Sequence, residues 1–182
     1  MAREASQDER YAQAAAEFGP AVERLTRAYE ADPDLRRDLG QEIQVALWRS
    51  FAGFDGRCSV RTWVYRVAHN VAASHILARK RRRAEQLTTL DALAEAAAPD
   101  NPEAEAGRNR DLARLTQLIQ ALAPTDRQVA LLYLEDLDAA AIGEVTGLSA
   151  GAVAVRIHRL KAVLASRFHR ADAIGGGPND RA

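Results

Sequence analysis

Residues 59–83 read SVRTWVYRVAHNVAASHILARKRRR and carry the clearest structural pattern of the chain. Valines recur in it at steps of four, three and four, which brings them onto one face of an α-helix: Val60, Val64, Val67 and Val71. The opposite face carries a hydroxyl, a guanidinium, an imidazole and an amide, from Thr62, Arg66, His69 and Asn70. With Ser59 as N-cap, the pattern predicts a helix to about Arg82. One face would enter a core, and the other would offer groups suited to bases or phosphates.

Helical periodicity continues upstream of this stretch. Helices are predicted over residues 11–29 and 35–51, and residues 53–58 between them and the long helix form a loop. The second helix has an apolar stripe at steps of four: Leu39, Ile43, Leu47 and Phe51. Alanine is abundant and no strand-like alternation persists, so the predicted fold class is all-α.

An acidic segment, residues 84–108, divides the chain. It holds two prolines and six acidic residues, with no basic residue before Arg108, which is typical of a flexible linker. We therefore predict two small helical domains, 10–83 and 109–170, joined by the linker 84–108 and followed by a disordered tail, 171–182. The C-terminal domain begins with another apolar stripe: Leu112, Leu115, Ile119 and Leu122.

The C-terminal domain contains a helix-turn-helix pattern. Pro124 starts one helix, with Asp126 as a capping candidate, and Asp138 can cap a shorter one. Gly147 suits the left-handed conformation of the tight turn 146–149, and a long amphipathic helix then runs over residues 150–169. In such units the second helix enters the major groove of DNA. Here it carries basic groups that could contact phosphates or bases: Arg156, His158, Arg159 and Lys161.

The charge of the chain is strongly segregated. Its 25 basic and 25 acidic residues cancel, which on its face argues against a nucleic-acid binder. Residues 57–84, however, hold eight basic and no acidic residues, and residues 139–182 have a net charge of +3. Residues 1–56 and 85–138 carry net charges of −4 and −7. Because exposed charges act over a Debye length of about 8–10 Å, each block would act on a partner separately.

Several classes of protein are excluded by what the sequence lacks. No apolar run approaches the roughly 20 residues of a membrane span, and the N-terminus has no signal peptide, so we expect no membrane insertion and a cytoplasmic protein. One cysteine, Cys58, cannot form an internal disulfide or a cysteine-rich zinc site. There is no HExxH motif, P-loop or GxSxG motif. The sequence therefore predicts no catalysis, no metal site and no cofactor.

Two segments together resemble a known family. DLGQEIQVALWRSFAGFDGRCSVRTWVYRVAHNVAASHILARKRRR, residues 38–83, resembles region two of an extracytoplasmic-function (ECF) RNA polymerase sigma factor of the sigma-70 family. LAPTDRQVALLYLEDLDAAAIGEVTGLSAGAVAVRIHRLKAVLASRF, residues 122–168, resembles region four. The resemblance implies a dissociable subunit of bacterial RNA polymerase that directs core enzyme to specific promoters and helps to melt DNA. Its implied partners are the coiled coil of the largest (β′) core subunit, the β subunit, promoter DNA and an anti-sigma factor.

The resemblance also implies three sets of contact residues. The set expected to bind core polymerase comprises Asp38, Gln41, Glu42 and Trp48. The set expected at the minus-ten element, where the loop would hold a flipped base, comprises Arg57, Ser59, Arg61, Thr62, Trp63, Arg66, His69 and Asn70. The set expected at the minus-thirty-five element comprises Ala152, Val155, Arg156, His158, Arg159 and Lys161. Trp63 borders the valine face, so it could stack on a base or belong to the core.

The recognition helix departs from the family pattern. Family members commonly begin it with an acidic residue and Gly-Thr-Val-Lys-Ser-Arg, whereas here three polar positions are Ala152, Ala154 and Val155. Apolar contact with thymine methyls and DNA shape would then carry more of the specificity. An alternative remains open, in which the chain is a helix-turn-helix regulator of duplex DNA that never binds polymerase. That alternative leaves the pattern from Asp38 to Arg83 without a role.

Overall fold

A computed structural model of the chain describes residues 6–89 and 108–175. All regular structure in these residues is helical, which confirms the all-α prediction. The chain divides into two compact units, Met1–Ala121 and Leu122–Ala182, which we call the first and second unit. Most of the predicted linker and the end of the predicted tail lie outside the described residues. The predicted end of the long helix at about Arg82 is wrong, because the helix continues to Thr89.

The first unit is built around three helices, α1 (Gln7–Tyr29), α2 (Pro33–Ser50) and α3 (Val60–Thr89), with a short 3-10 turn, Phe51–Gly53, after α2. α1 begins earlier than predicted because Ser6 and Glu9 form a capping box, in which each side chain accepts the other's backbone N–H at 3.2 and 2.8 Å. α2 also begins earlier. Asp32 accepts the N–H groups of residues 34 and 35, and Pro33 supplies the fixed φ of the first helical position.

The core of the first unit lies where α1, α2 and α3 meet. The predicted stripe of α2 is confirmed, since its members are all 3% exposed or less: Leu39, Ile43, Leu47 and Phe51. The predicted face of α3 is wrong in part, because Val60 is 38% exposed and only Val64 of the four valines is fully buried. Larger rings set the buried face instead: Tyr65 packs edge-on against Phe18 of α1, with ring centroids 6.4 Å apart.

A fourth helix, α4 (Arg108–Gln120), also belongs to the first unit. Ile119 is buried, and the Gln120 Nε2 amide donates a hydrogen bond to the Arg27 carbonyl of α1 at 2.7 Å. The compact units thus divide after Ala121, whereas the sequence prediction begins the second domain at residue 109. Leu112, expected in a buried stripe, is 60% exposed.

The second unit consists of α5 (Pro124–Leu134), α6 (Ala139–Thr146) and α7 (Ala150–Gly175) in the described residues. The predicted helix-turn-helix is confirmed: Asp138 caps α6, and Gly147 takes a left-handed φ of 76° in the turn. Position 143 also requires glycine, because a Cβ there would lie 2.7 Å from the Leu148 carbonyl oxygen. Val153 of α7 is fully buried in the second unit.

No single helix in the described part of the chain is long and apolar enough to cross a membrane. Only Ala139–Thr146 and Ala150–Ser166, taken together across a bend of 107°, reach that length and composition. Such a pair is weak support for a span, because the core helices of a water-soluble domain can have the same composition.

Candidate nucleic-acid interface

The outer face of α2 brings together the residues predicted to bind core polymerase. Asp38, Gln41 and Glu42 are exposed and line one groove along the helix, and Trp48 is 43% exposed one turn beyond. Val45, which sequence reasoning did not select, lies in the same groove and is 48% exposed. Because Val45 does not belong to the buried stripe of α2, the sequence alone already indicated an exposed apolar side chain there. The groove also includes the exposed cation Arg49, so the face combines carboxylates, an amide and one guanidinium with two apolar side chains.

The N-terminal turn of α1 holds Trp48 in place. The indole Nε1–H of Trp48 donates to Asp8 Oδ1 at 2.8 Å, and the Gln7 amide donates to the Trp48 carbonyl at 2.7 Å. An exposed indole that is fixed at its polar edge leaves its apolar faces available. Exposed aromatic side chains with this combination are favoured anchors of protein interfaces.

The loop between α2 and α3 projects Arg57. Gly56 adopts a positive φ of 74°, and the Arg57 guanidinium, 88% exposed, pairs with Asp55 at 2.9 Å. The loop is anchored by Phe54, whose ring packs edge-on against Trp63 with centroids 5.3 Å apart. The loop therefore presents an exposed cation, and the packing of Phe54 on Trp63 supports it.

Trp63 is half-buried and its indole Nε1–H donates to the Ser50 hydroxyl at 2.9 Å. Its ring therefore joins the start of α3 to the end of α2 and supports Phe54. Of the two roles left open by the sequence, these contacts favour the structural one.

Ser59 and Thr62 serve the start of α3. The predicted N-cap is confirmed, because the Thr62 N–H donates to Ser59 Oγ at 3.0 Å. The two hydroxyls are 2.9 Å apart, and Thr62 is only 5% exposed. The prediction that Thr62 presents its hydroxyl to DNA is wrong, since that side chain lies in the interior. Ser59 is exposed and keeps a place at the surface.

His69 is the clearest correction to the predicted polar face. It is 1% exposed, and its Nδ1 lies 3.0 Å from the Tyr29 hydroxyl. Burial lowers the pKa of His69 to about 3, because a charged imidazole there would lose its hydration. The prediction that His69 contacts DNA is wrong, since its ring is neutral and enclosed.

The remaining α3 candidates lie at or near the surface. Arg61 is exposed, with its guanidinium carbon 5.9 Å from the centre of the Tyr65 ring. Arg66 is half-buried and Asn70 is exposed. Asn70 lines a groove that also includes Arg82 of the basic run. Asn70 and Arg82 therefore share one groove, while Arg61 and Arg66 lie nearer the start of the helix.

A buried ionic cluster, absent from the sequence predictions, sits behind that face. Glu30 is 1% exposed and forms an ion pair and hydrogen bond with Arg79. His75 lies between two carboxylates, 3.9 Å from Glu30 and 3.2 Å from Glu42. Arg79, which the sequence groups with the basic run, thus ties α3 to the end of α1. No local pattern in the sequence pairs Glu30 with a residue 49 positions away.

The exposed face of α7 assembles the candidates for the minus-thirty-five element. Val155 is 70% exposed and Arg156 is partly exposed. The other predicted residues are exposed: Ala152, His158, Arg159 and Lys161. Lys161 Nζ lies 4.7 Å from the centre of the Tyr133 ring, a cation–π geometry.

An acidic residue outside the predicted sets contacts this face. Asp126 Oδ1 accepts a hydrogen bond from Arg156 Nη1 at 2.6 Å, and its Oδ2 lies 3.4 Å from Arg159 Nη2. The sequence indicated Asp126 only as a cap. The face therefore combines apolar side chains with two arginines that are hydrogen-bonded to Asp126.

Comparison with known proteins follows the same division of the chain. The model of sigma-70 region 2 matches residues 15–82, and that of sigma-70, region 4 matches residues 112–164. The RNA polymerase sigma-H factor of Pseudomonas aeruginosa is 32% identical over 141 residues, which are 71% of this chain and 71% of that protein. The chain belongs to the sigma-70 family. The region 4 match begins inside α4, so the family boundary lies before the point at which the two compact units divide.

Another sigma-70 relative carries the ECF designation. The ECF RNA polymerase sigma factor SigG of Mycobacterium tuberculosis is 28% identical over 151 residues, or 70% of this chain. The chain spans only about 40% of the length of SigG. Membership of the sigma-70 family is thus confirmed, and the ECF name of this relative agrees with the resemblance.

Two solved structures share the fold. CnrH, in complex with the cytosolic domain of CnrY, superposes with a TM-score of 0.62 and 23% identity, covering 88% of each chain. The sigma factor RpoE, in complex with the anti-sigma factor NepR from Bartonella quintana, gives 0.65 and 16%, covering 84% of this chain and 92% of that one. At these identities the likeness confirms the helical fold of the sigma-70 chain.

Proposed function

We propose that this chain is an ECF sigma factor that binds core RNA polymerase, directs it to specific promoters and helps to melt DNA at initiation. The observation that carries the proposal is the outer face of α2. An exposed Trp48, fixed by Asp8, lies beside the groove of Asp38, Gln41 and Glu42. A regulator that binds only duplex DNA through the second unit has no use for this face.

In the proposed complex, this face of α2 docks on the coiled coil of the β′ subunit. Family membership supplies that partner, and the β subunit is the expected second contact. The apolar area of Val45 and Trp48 supports association, because burial of apolar surface supplies most of the favourable free energy at such contacts. The surrounding carboxylates would select a basic partner surface.

The minus-ten element is proposed to bind the loop and the outer face of α3. Extrusion of a base from the stack costs a few kcal/mol, which contacts at a pocket must offset. Arg57 and Ser59 are exposed at that loop. Arg61, Arg66 and Asn70 of α3 would contact the same DNA strand further along. Thr62 and His69 are left out of this surface because they are buried.

The minus-thirty-five element is proposed to bind α7. A helix of this kind enters the major groove, where arginine reads guanine and apolar groups contact thymine methyls. Arg156 and Arg159 would supply the first kind of contact, and Val155 and Ala152 the second.

Two further points belong to the proposal. Both solved relatives are complexes in which a second protein is bound, and NepR is named an anti-sigma factor. We infer that this chain too is held by an anti-sigma factor. RNA synthesis would be catalysed by the polymerase in the cytoplasm, with this chain supplying recognition.

Transcription with purified components tests the function. Core polymerase with this chain and genomic DNA of the source organism should give transcripts whose sequenced 5′ ends share two upstream elements. Trp48→Ala should lower affinity for core polymerase at least about tenfold, as expected for an interface anchor. Leu77→Ala, which removes another exposed apolar side chain (54% against 43% for Trp48) from α3, is the matched control. Selective duplex binding with no gain of promoter selectivity by core enzyme would support the helix-turn-helix regulator instead.

A further inference from the structure

Asp126 contacts two arginines of the proposed DNA-reading helix at once. It lies in the first turn of α5 with its side chain 16% exposed. One carboxylate oxygen accepts from Arg156 at 2.6 Å, and the other lies 3.4 Å from Arg159. Residues three apart lie on the same face of a helix, so a single carboxylate can reach both guanidinium groups.

The position of Asp126 favours a stable contact. A carboxylate in the first turn of a helix is stabilised by the helix dipole, so the charge of Asp126 has support before the arginines bind. A partly buried pair is also screened less by salt than an exposed one. Arg156 is half as exposed as Arg159, with 35% against 71% of its side chain accessible, so it is the more firmly held.

We propose that Asp126 is a positioning residue that orients Arg156 and Arg159 for base reading, an inference that rests on the proposed role of α7 in binding duplex DNA. A guanidinium has five N–H donors, so the donor given to Asp126 leaves others for guanine or phosphate. Arginine chains that are ordered before DNA arrives lose less rotamer freedom on binding. Asp126 thereby sets the specificity of the helix without contacting a base.

Positioning and simple charge have opposite consequences when Asp126 is neutralised. Loss of a negative charge near the DNA face would raise attraction for any duplex. Loss of positioning would lower discrimination between duplexes. A fall in specificity together with unchanged or higher nonspecific affinity is therefore the signature of a positioning residue.

The test uses the full chain and a pool of short duplexes with a randomised central window. In Asp126→Asn the amide keeps one acceptor oxygen and can hold only one arginine. We expect it to lower the discrimination between bound and discarded sequences about tenfold at the positions that the arginines read. Asp126→Glu, which keeps the carboxylate, should recover most of that discrimination. Asp136→Asn removes the same charge from an exposed residue of the same unit that forms no ion pair with any described residue, and it should behave as wild type.

The outcomes separate the inference from the proposed function. Unchanged discrimination in Asp126→Asn overturns the positioning role. So does an equal loss in Asp126→Asn and Asp126→Glu accompanied by a lower Tm in both, since Asp126 would then only stabilise the packing of α5 on α7. Duplex selection that depends on Asp126, without promoter selectivity when core polymerase is added, supports the positioning role and overturns the sigma function. Failure of wild type to select any duplex overturns the positioning role, while the sigma function is decided separately by promoter selectivity with core polymerase.

Discussion

The hydroxyl of Tyr29 lies 3.0 Å from Nδ1 of His69, in the interior where α1 meets α3. The two rings pack edge to face, with centroids 5.8 Å apart. Because His69 is buried and its pKa is lowered to about 3, the imidazole is neutral at physiological pH. A residue that the sequence places among DNA contacts therefore joins two helices of the core.

Acid should destabilise the first unit through His69. Its pKa is about 3 in the folded chain and near 6.5 in the unfolded chain, so between these values the unfolded state binds the extra proton. The contribution of His69 to the free energy of unfolding is complete above pH 6.5 and falls as the pH drops towards 3. The slope reaches at most about 1.4 kcal/mol per pH unit. Urea unfolding at a series of pH values measures it.

The variant His69→Phe isolates this effect. It should be less stable at neutral pH, because Tyr29 loses its hydrogen bond to His69. The slope of its unfolding free energy against pH should be smaller than that of wild type, by at most the slope that one proton contributes. His158→Phe, which makes the same substitution at an exposed position of α7, is the matched control. A slope for His69→Phe equal to that of wild type would mean that His69 titrates normally in the folded chain.

The pair of Glu30 and Arg79 should contribute to stability more than to DNA binding. Arg79→Met removes the arginine from the buried Glu30 carboxylate and leaves it only the Asp32 N–H and the nearby His75. We expect this to cost about 2–3 kcal/mol of unfolding free energy, less than for a fully buried pair because Arg79 is 44% exposed. Chemical denaturation of the full chain measures this loss.

Two further variants of the same run separate charge from packing. Arg82→Met removes an exposed cation, so it should change unfolding free energy by less than about 0.5 kcal/mol while lowering DNA affinity. Arg79→Met combined with Glu30→Gln removes both charges and should recover part of the lost stability. Equal stability of Arg79→Met and Arg82→Met would contradict the structural role of Arg79.

The sequence predicted the elements of the fold better than the roles of individual polar residues. Periodicity identified the buried stripe of α2, and turn chemistry identified Gly147, because both signals are local. The buried face of α3 could not be read in this way. It depends on which rings contact each other across helices, as His69 contacts Tyr29. The residue type alone does not show whether a histidine or threonine on a helix faces solvent or the core.

The candidate site shows the same division. Asp38, Gln41 and Glu42 were predicted to bind one partner, and one groove contains them, because residues three and four apart lie on one face of a helix. Contacts between distant segments were missed. Asp126 reaches Arg156 across 30 positions, and no spacing rule within one helix predicts such a pair.

Ser59 should have separable effects on folding and on promoter opening. Ser59→Ala removes the acceptor of the Thr62 N–H and should cost about 1 kcal/mol of stability, as for other N-caps. Ser59→Asp keeps a capping oxygen but adds a negative charge where the melted strand is proposed to bind. Its thermal stability should therefore stay near wild type while promoter opening by the reconstituted polymerase falls. Normal opening by Ser59→Asp would remove Ser59 from the proposed DNA surface.

Val155 should read thymine through its methyl groups. It is 70% exposed on α7, far more than a valine of the core, so Val155→Ser should leave the free energy of unfolding within about 0.5 kcal/mol of wild type. Burial of one or two methyl groups is worth about 0.8 kcal/mol each, so the preference for thymine at the contacted position should fall about four- to fifteenfold. Duplexes in which uracil replaces thymine, one position at a time, remove only the methyl group of the base. Wild type should lose affinity at one such position, and Val155→Ser should lose none there. Val163→Ala, on the same helix at 36% exposure, should respond to uracil as wild type does. If Val155→Ser remains as sensitive to uracil as wild type, the thymine contact belongs to another residue, and Ala152, also exposed on α7, is the next to test.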